Sequence, residues 1–240
     1  MLTHLLECRR RMLQICVCFI VLFVACFTFA QTLFQVVALP LLRVLPVNAT
    51  LIATQITTPL MTPIKLAADI ALLGTAPFAL LHVWLFASPG LYRQERKPFL
   101  WAIATSLVLF LLGILFCFYL VLPYMFAFFA RAVPAGVRLM PDMGYAVDFI
   151  TRMTLIFGLC FQVPLVCCVL VRVKVVNIAL LTLIRPYVIV AAFIIGMLLT
   201  PPDVFSQIML AAPLCVLYEA GIILARCSSI KPLLHNPTTF

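Results

Sequence analysis

The sequence predicts an all-α polytopic membrane protein with six transmembrane helices, of which the last two are short. Two observations predict this class: 66% of the 240 residues are hydrophobic and only 10% are charged, and the mean hydropathy is +1.25. A soluble domain of this size needs a more polar surface than 16 basic and 7 acidic residues provide. We therefore expect the lipid bilayer to cover most of the chain.

Apolar stretches define the predicted spans. A helix needs about 20 mostly apolar residues to cross the hydrocarbon, and four stretches meet this length: 12–34, 66–86, 99–122 and 153–171. Two more, 187–200 and 207–225, are separated by Pro201 and Pro202 and are predicted as short spans. The fifth covers only about 21 Å at 1.5 Å per residue, so we expect a locally thin bilayer beside the last pair.

The first stretch has features of a secretory signal peptide. Arg9, Arg10 and Arg11 precede an apolar run, and small residues lie near Ala30. The run is longer than a typical signal-peptide core, which favours an uncleaved first helix. Residues 1–226 are then one membrane domain, and residues 227–240 form a tail that we expect to be disordered.

Basic residues predict the orientation. With six spans one side holds eleven of them, namely Arg9, Arg10, Arg11, Arg93, Arg96, Lys97, Arg172, Lys174, Arg185, Arg226 and Lys231. The other side holds Arg43, Lys65, Arg131, Arg138 and Arg152. The positive-inside rule makes the first side cytoplasmic, with both termini in the cytoplasm. A count of five spans would place the tail outside and weaken the asymmetry.

The two predicted external loops, 35–65 and 123–152, are rich in proline, which stiffens turns. We expect them to form an ordered cap. No internal repeat is found, so the inverted-repeat plan of many secondary transporters has no support.

Several function classes lack their motifs. The sequence has no HExxH, GxSxG or GxxxxGK[ST], which argues against a membrane protease or a subunit with its own ATP motor. The ten cysteines lie mostly in apolar segments without a CxxC pair, so no metal and no cofactor is predicted. The basic residues fall in short groups between apolar stretches, and nucleic acid is not expected as a partner.

The seven acidic residues are few enough to weigh one by one. Glu7 precedes the first span with Arg11 four residues later, and the pair is either a weak surface ion pair or part of a binding site. Glu95 follows the Pro89 and Gly90 turn between spans two and three. It is either a local surface ion pair or a carboxylate suited to capturing an arginine guanidinium.

Polar residues within the spans have packing interpretations as well as functional ones. Asp69 is expected to form a helix-end ion pair with Lys65. Gln162, in the middle of span four, could contact a molecule entering the membrane, but a hydrogen bond to a neighbouring helix is the favoured role. His82 alone is most often a packed residue.

Several segments together resemble the TatC family, the polytopic core of the twin-arginine protein translocase. They are THLLECRRRM, ALPLLRVLP, TTPLMTPIKL, VWLFASPGLYRQERK, RPYVIVAAFIIGMLLTPPDVFSQ and PLCVLYEAGI, in order and nearly end to end. Members of the family are receptors for folded precursors whose signal peptides carry consecutive arginines. The resemblance implies a protein that carries out no covalent chemistry and works with the proton-motive force. Since no transit peptide precedes the first span, the bacterial inner membrane is favoured over the equivalent organelle membrane.

The resemblance also implies roles for individual residues. Glu7 and Glu95 would form an acidic recognition patch with Arg9 and Phe86 beside it. Pro40 would shape the external cap. The set that would dock TatA-like and TatB-like single-span subunits is Met197, Thr200, Asp203 and Gln207, with Asp203 in the turn between spans five and six. Further partners would be other copies of the chain.

Two positions depart from the family pattern. Cys8 replaces a leucine between Glu7 and Arg9, and Gln162 stands where some members carry glutamate, so an acidic role for that position is in doubt. Two alternatives remain. A small-solute transporter or channel would use Asp69, Gln162 and Glu219 to line a midplane path, and a purely structural scaffold would tolerate loss of Glu95.

Overall fold

The structure is a computed structural model that describes residues 2–44, 50–91, 96–134, 137, 140–199 and 204–230. Within these ranges, residues 2–5, 84–91, 96–100, 199 and 228–230 are described by their backbone only. The described chain is almost entirely helical, and five of its helical stretches are long and apolar enough to cross a membrane. The predicted all-α class is confirmed.

Six helical crossings follow one another along the chain. The helices are α1 (Leu2–Thr28), α2 (Ala30–Leu42), α3 (Thr58–Leu91), α4 (Arg96–Phe116), α5 (Leu122–Ala132), α6 (Met143–Cys160), α7 (Val163–Arg172), α8 (Ile178–Leu183), α9 (Arg185–Leu199) and α10 (Val204–Ile230). A five-residue π-helical segment, Cys117–Val121, joins α4 to α5. The crossings are α1, α3, α4 with α5, α6 with α7, α9, and α10.

Contacts between packed helices show that these helices run in opposite directions. Arg11 near the start of α1 reaches His82 late in α3, and Gln162 after α6 reaches Ser106 in the middle of α4, well before the end of the crossing formed by α4 and α5. Two faces result. The N-terminal face carries the start of α1, the end of α3 and the end of α10, and the opposite face carries α2, the start of α3 and the start of α6.

The first crossing ends earlier than the predicted span 12–34, because the helix breaks at Phe29, where φ is −107° and ψ is 17°. Just before the break, the Thr28 hydroxyl donates to the carbonyl of Ala25 at 2.7 Å. Such a local bond competes with regular helix hydrogen bonding. Since apolar residues continue through the break, hydropathy could not locate it.

The last two crossings differ in length. Helix α9 has 15 residues, so the predicted shortness of the fifth span is confirmed. Helix α10 has 27 residues and is not short. The prediction ended the helix at its polar residues, but backbone hydrogen bonding continues through Ser206 and Gln207 at one end and Arg226 at the other.

The opposite face carries an ordered cap. The backbone of Ile52 pairs with residues beside Asp142: its amide donates to Pro141 at 3.1 Å, and its carbonyl accepts from Met143 at 2.9 Å. Much of both predicted loops is helical, because α2, α5, and the first turns of α3 and α6 lie within them. Pro40 is buried inside α2 in this cap.

The core lies between α4, α5 and α6. Side chains with 0–2% exposure fill it, namely Phe110, Cys117, Val121, Leu122, Met125, Ile150, Met153, Phe157 and Leu210. Helices α4 and α6 approach closely at Gly113, where an added Cβ would lie 2.7 Å from the carbonyl oxygen of Phe157. By contrast, no residue from Leu6 to Phe29 of the α1 segment is buried. Most of α1 is therefore available to lipid or to a partner.

Candidate functional site

Glu7 lies on the N-terminal face in an ion pair with Arg11. The Arg11 guanidinium donates from Nε at 3.2 Å and from Nη2 to the same Glu7 oxygen, as the spacing of four residues predicted. The third nitrogen, Nη1, donates to the carbonyl of His82 at 3.3 Å. Arg11 therefore ties the carboxylate to α3 as well as to its own helix.

An open groove begins beside this pair, between α1 and α3. It encloses about 700 Å³ and is lined by Arg10, Leu13, Gln14, Val17, Cys18, Phe78, Leu81 and His82. Its walls are mostly apolar, and the ring of His82 packs edge-on against Phe78 with centroids 4.4 Å apart. The combination of a carboxylate and an apolar groove could hold a cationic group followed by an apolar segment.

The other predicted members of this site are described only in part. Arg9 is exposed on α1. Phe86 belongs to α3, one turn beyond His82, and is described by its backbone alone. Glu95, in the stretch between Leu91 and Arg96, lies outside the described residues. The structure therefore places Glu7 beside the second half of α3, the helix that contains Phe86.

A second predicted cluster lies where α9 ends and α10 begins. Met197 is 62% exposed on α9, and Gln207 is half-buried on α10. Gly196 packs against the backbone of Gln207, since an added Cβ would lie 3.5 Å from its carbonyl oxygen. Thr200 and Asp203 lie outside the described residues. Met197 and Gln207 are thus near one helix crossing on the opposite face.

Gln162 forms hydrogen bonds to a neighbouring helix, the role that the sequence favoured for its amide. It accepts from the Ser106 hydroxyl at 2.7 Å and donates to the Ser106 carbonyl at 2.9 Å, and both residues are buried. Both groups of the amide are therefore used in joining α4 to the junction of α6 and α7.

The predicted pair between Asp69 and Lys65 is wrong. Lys65 lies 3.6 Å from Asp148 on α6, while Asp69 accepts from the hydroxyl of Thr151 at 2.7 Å. Packing of α3 beside α6 offers each side chain a partner that sequence spacing does not reveal. The four-residue rule considers only one helix.

Two further polar contacts were not anticipated. Arg185 at the start of α9 donates to Glu219 on α10 at 2.8 Å, although 34 residues separate them. Asp142 caps α6, accepting from the amides of Gly144 and Tyr145 and from the amide and hydroxyl of Thr54. These bonds, chiefly those from Thr54, lower the pKa of Asp142 to about 2. An aspartate just before a helix is a recognisable cap signal, but its Thr54 partner is not.

The three residues that a solute path would need are bonded to separate neighbours. Asp69 bonds to Thr151, Gln162 to Ser106, and Glu219 to Arg185. Among the described residues no group of three metal-binding side chains is found. These three side chains therefore form hydrogen bonds between helices and do not line one continuous polar path.

Known proteins resemble the chain over nearly its whole length. The sequence profile of the family described as Sec-independent protein translocase protein (TatC) matches residues 3–213. TatC of Haemophilus influenzae is 43% identical, covering 94% of this chain and 88% of that protein. TatC of Escherichia coli K12 is 38% identical over 94% of this chain and 88% of its own.

A solved structure agrees with the fold. A crystal structure of the twin-arginine translocase receptor TatC superposes with a TM-score of 0.86 and 32% identity. The superposition covers 94% of this chain and 99% of the other.

Fold and site together define a multi-pass α-helical membrane protein in which several polar side chains join neighbouring helices. The comparisons define it further. The chain belongs to the TatC family, and it is a core subunit of the Sec-independent, twin-arginine protein translocase and not an enzyme.

Proposed function

We propose that this chain is the receptor for twin-arginine signal peptides of folded precursors. Glu7 and Glu95 bind the two guanidinium groups, with Arg9 and Phe86 beside them. The observation that supports this best is that the Glu7 carboxylate already holds a guanidinium, that of Arg11, at the end of an apolar groove. Arginine suits such a site because its planar fork donates several parallel hydrogen bonds to a carboxylate.

The groove fits the remainder of the ligand. Signal peptides carry an apolar core after their basic segment, and the groove continues from Arg10 along Leu13 and Val17 on one side and Leu81 and Phe78 on the other. A peptide that places its arginines at Glu7 would therefore lay its apolar residues against α1 and α3. Burial of that apolar surface would add to the affinity of the ion pairs.

Charge distribution supports a cytoplasmic N-terminal face. With six spans, eleven of the sixteen basic residues are predicted to lie on the side on which α1 begins, and basic residues are retained in the cytoplasm. Signal peptides would then bind from the cytoplasm, and export would proceed across the bacterial inner membrane with the proton-motive force as energy source.

Partner subunits are proposed to bind at the other end of the molecule. Met197 is exposed on α9 and Gln207 lies beside it on α10. TatA-like and TatB-like single-span subunits would dock here, with Thr200 and Asp203 completing the surface and other copies of this chain joining the assembly. Polar side chains at such a crossing can bond to a partner helix within the bilayer.

The experiment compares two variants of one ion pair. The purified protein in lipid nanodiscs is titrated with a synthetic peptide that has paired arginines, an apolar segment and a photoreactive residue. Glu7→Gln should weaken binding about tenfold, because a charge-assisted hydrogen bond contributes about 1.5–3 kcal/mol. Arg11→Gln removes the same ion pair but leaves the carboxylate, and it should bind at least as well as the original chain.

A peptide with paired lysines serves as the ligand control and should bind more weakly to the unaltered protein. Equal losses of binding in Glu7→Gln and Arg11→Gln would mean that only the ion pair between Glu7 and Arg11 matters, and the carboxylate would not be a ligand. Undiminished binding by Glu7→Gln would also overturn the assignment. Glu95→Ala should lose both peptide crosslinking and export while the protein still inserts.

A further inference from the structure

A second cavity lies on the opposite face, far from the groove between α1 and α3. It encloses about 570 Å³ between α2, α5 and α6 and is lined by Leu41, Phe126, Phe129, Pro141, Asp142, Tyr145, Ala146, Asp148, Phe149 and Arg152. Its floor is formed by aliphatic and aromatic side chains, whereas its charged groups lie along α6. The cavity is therefore amphipathic.

A polar cavity adjoins the apolar one. It encloses about 290 Å³, and Thr54, Gln55, Thr58, Thr62 and Lys65 are among its lining residues. The two cavities share Asp142, Tyr145 and Asp148. An amphiphile could therefore place its apolar part against the aromatic residues of α5 and its polar part near Lys65, lying across the exposed Tyr145.

Length places this region at the membrane surface. The stretch Met143–Arg172 has 30 residues and is about 45 Å long, whereas the hydrocarbon is about 30 Å thick. The excess of up to about 15 Å is enough to bring the first turns of α6, which follow the Asp142 cap, to the level of the lipid headgroups. A cavity that begins at Asp142 and descends to Arg152 spans the boundary between headgroup and acyl chain.

The charges at this boundary carry both signs. The carboxylate of Asp148 lies 3.6 Å from the Lys65 ammonium and 3.8 Å from the Arg152 guanidinium, beyond the usual length of a direct hydrogen bond. Lys65 and Arg152 are 62% and 72% exposed, so neither is held tightly. The nearby carboxylates Asp69 and Asp142 are already bonded, to Thr151 and to the cap of α6. Two loose cations and two carboxylates thus face the cavities, and of the carboxylates Asp142 is already used in the cap, which leaves Asp148 for a ligand.

We propose that this is a binding site for a glycerophospholipid whose zwitterionic headgroup ends in a primary ammonium, because its N–H groups can donate to a carboxylate and the quaternary ammonium of phosphatidylcholine cannot. The phosphate binds Arg152 and Lys65, the ammonium binds Asp148, and one acyl chain occupies the cavity against Phe126, Phe129 and Phe149. The charges complement such a headgroup because the phosphate becomes the partner of Lys65 and Arg152 in place of the more distant Asp148 carboxylate. The carboxylate in turn receives the ammonium.

The test places a fluorescent reporter in the cavity. Phe129→Trp is made in a chain whose two natural tryptophans, Trp84 and Trp101, are replaced by phenylalanine. The protein is placed in nanodiscs of phosphatidylcholine with a small fraction of phosphatidylethanolamine brominated in its acyl chains. A bound brominated chain quenches the reporter, and quenching should exceed several-fold the level set by the lipid's mole fraction.

Variants identify what is recognised. Arg152→Gln should weaken the preference about tenfold, since it removes a charge-assisted bond to phosphate, and Ala146→Phe should abolish it by filling the cavity. Arg43→Gln changes an exposed arginine of the same face that lines neither cavity and should have no effect. Circular dichroism and gel filtration establish that each variant is folded.

Brominated phosphatidylglycerol and a brominated alkyl maltoside provide the comparison ligands. Both should quench close to the level of their mole fraction, because neither offers the ammonium and the phosphate together. Equal quenching by all three amphiphiles would overturn the proposal, as would quenching that follows mole fraction throughout. Protection of the reporter only when the chain self-associates or binds a single-span helix would show a protein occupant and would also overturn it.

Discussion

Ser106 and Gln162 exchange two hydrogen bonds in the interior of the bundle, although 56 residues separate them. The Ser106 hydroxyl donates to the side-chain oxygen of Gln162 at 2.7 Å, and the side-chain nitrogen of Gln162 donates to the Ser106 carbonyl at 2.9 Å. The pair holds α4 against the junction of α6 and α7. Because the pair is buried, neither side chain can form a hydrogen bond to water when its partner is lost.

A double-mutant cycle measures this relationship. Gln162→Leu and Ser106→Ala should each lower the free energy of unfolding, with a coupling energy of about 0.6–1.7 kcal/mol, the range of interhelical hydrogen bonds in membranes. Denaturation in detergent provides the values. Peptide binding should not change in either variant, and a loss of binding without a loss of stability would give Gln162 a recognition role instead.

Gly113 permits the closest approach of α4 and α6. Gly113→Ala would bring a Cβ to 2.7 Å from the Phe157 oxygen and 2.9 Å from the Gly158 Cα, both backbone atoms. The helices must separate, and we expect a loss of about 1–3 kcal/mol in stability. Thermal unfolding monitored by circular dichroism is the measurement.

Gly196→Ala is the matched control for this substitution. Its nearest contact would be 3.5 Å away, an ordinary van der Waals distance, so its unfolding temperature should remain close to that of the unaltered chain. Equal losses at both glycines would point to helix propensity or lipid effects and against the close crossing.

The cap at Asp142 should depend on pH. Its pKa in the folded chain is about 2, below the value of about 3.9 for a free aspartate. Because the folded pKa is the lower one, the ionised carboxylate stabilises the cap above about pH 4, and the contribution is lost as pH falls towards 2. Hydrogen exchange at the amides of Gly144 and Tyr145, corrected for intrinsic rates, should increase across this interval.

Asp142→Asn provides the control because it keeps an acceptor for the cap but cannot ionise. Its corrected exchange rates at these two amides should not vary with pH over the same interval. A matching acid response in this variant would assign the change to another group.

The crossings were predictable because a backbone in lipid must satisfy its own hydrogen bonds, so each apolar stretch of sufficient length becomes a helix. The same uniform apolarity hides interruptions within a stretch. The break at Phe29 and the turn at Phe161 and Gln162 depend on local dihedral angles and packing, which hydropathy does not report. Polar residues had the opposite effect, since the predicted span began only at Gln207, whereas the helix begins at Val204.

Contacts of the site residues were predictable only where the two partners lie close together in the chain. Glu7 and Arg11 lie one helical turn apart, and their pair follows from spacing. Arg185 with Glu219, and Asp142 with Thr54, come from different elements. Their partners are determined by helix packing, so sequence spacing gives no sign of them.

The proposed partner surface yields a prediction that separates docking from recognition. Met197 and Leu198 are adjacent on α9, 62% and 78% exposed, and differ by about 100° in direction around the helix. If the crossing at Gln207 binds a single-span partner, Met197→Ala should reduce co-purification of TatA-like and TatB-like subunits about tenfold, as expected for loss of an interface anchor. Leu198→Ala should leave it unchanged. Asp203→Ala should likewise keep peptide binding while export falls, whereas Glu7→Gln should weaken peptide binding about tenfold and retain its partners. Because both ends of the molecule are measured in each variant, a general loss of folding would lower both quantities together, and only a local loss would separate them.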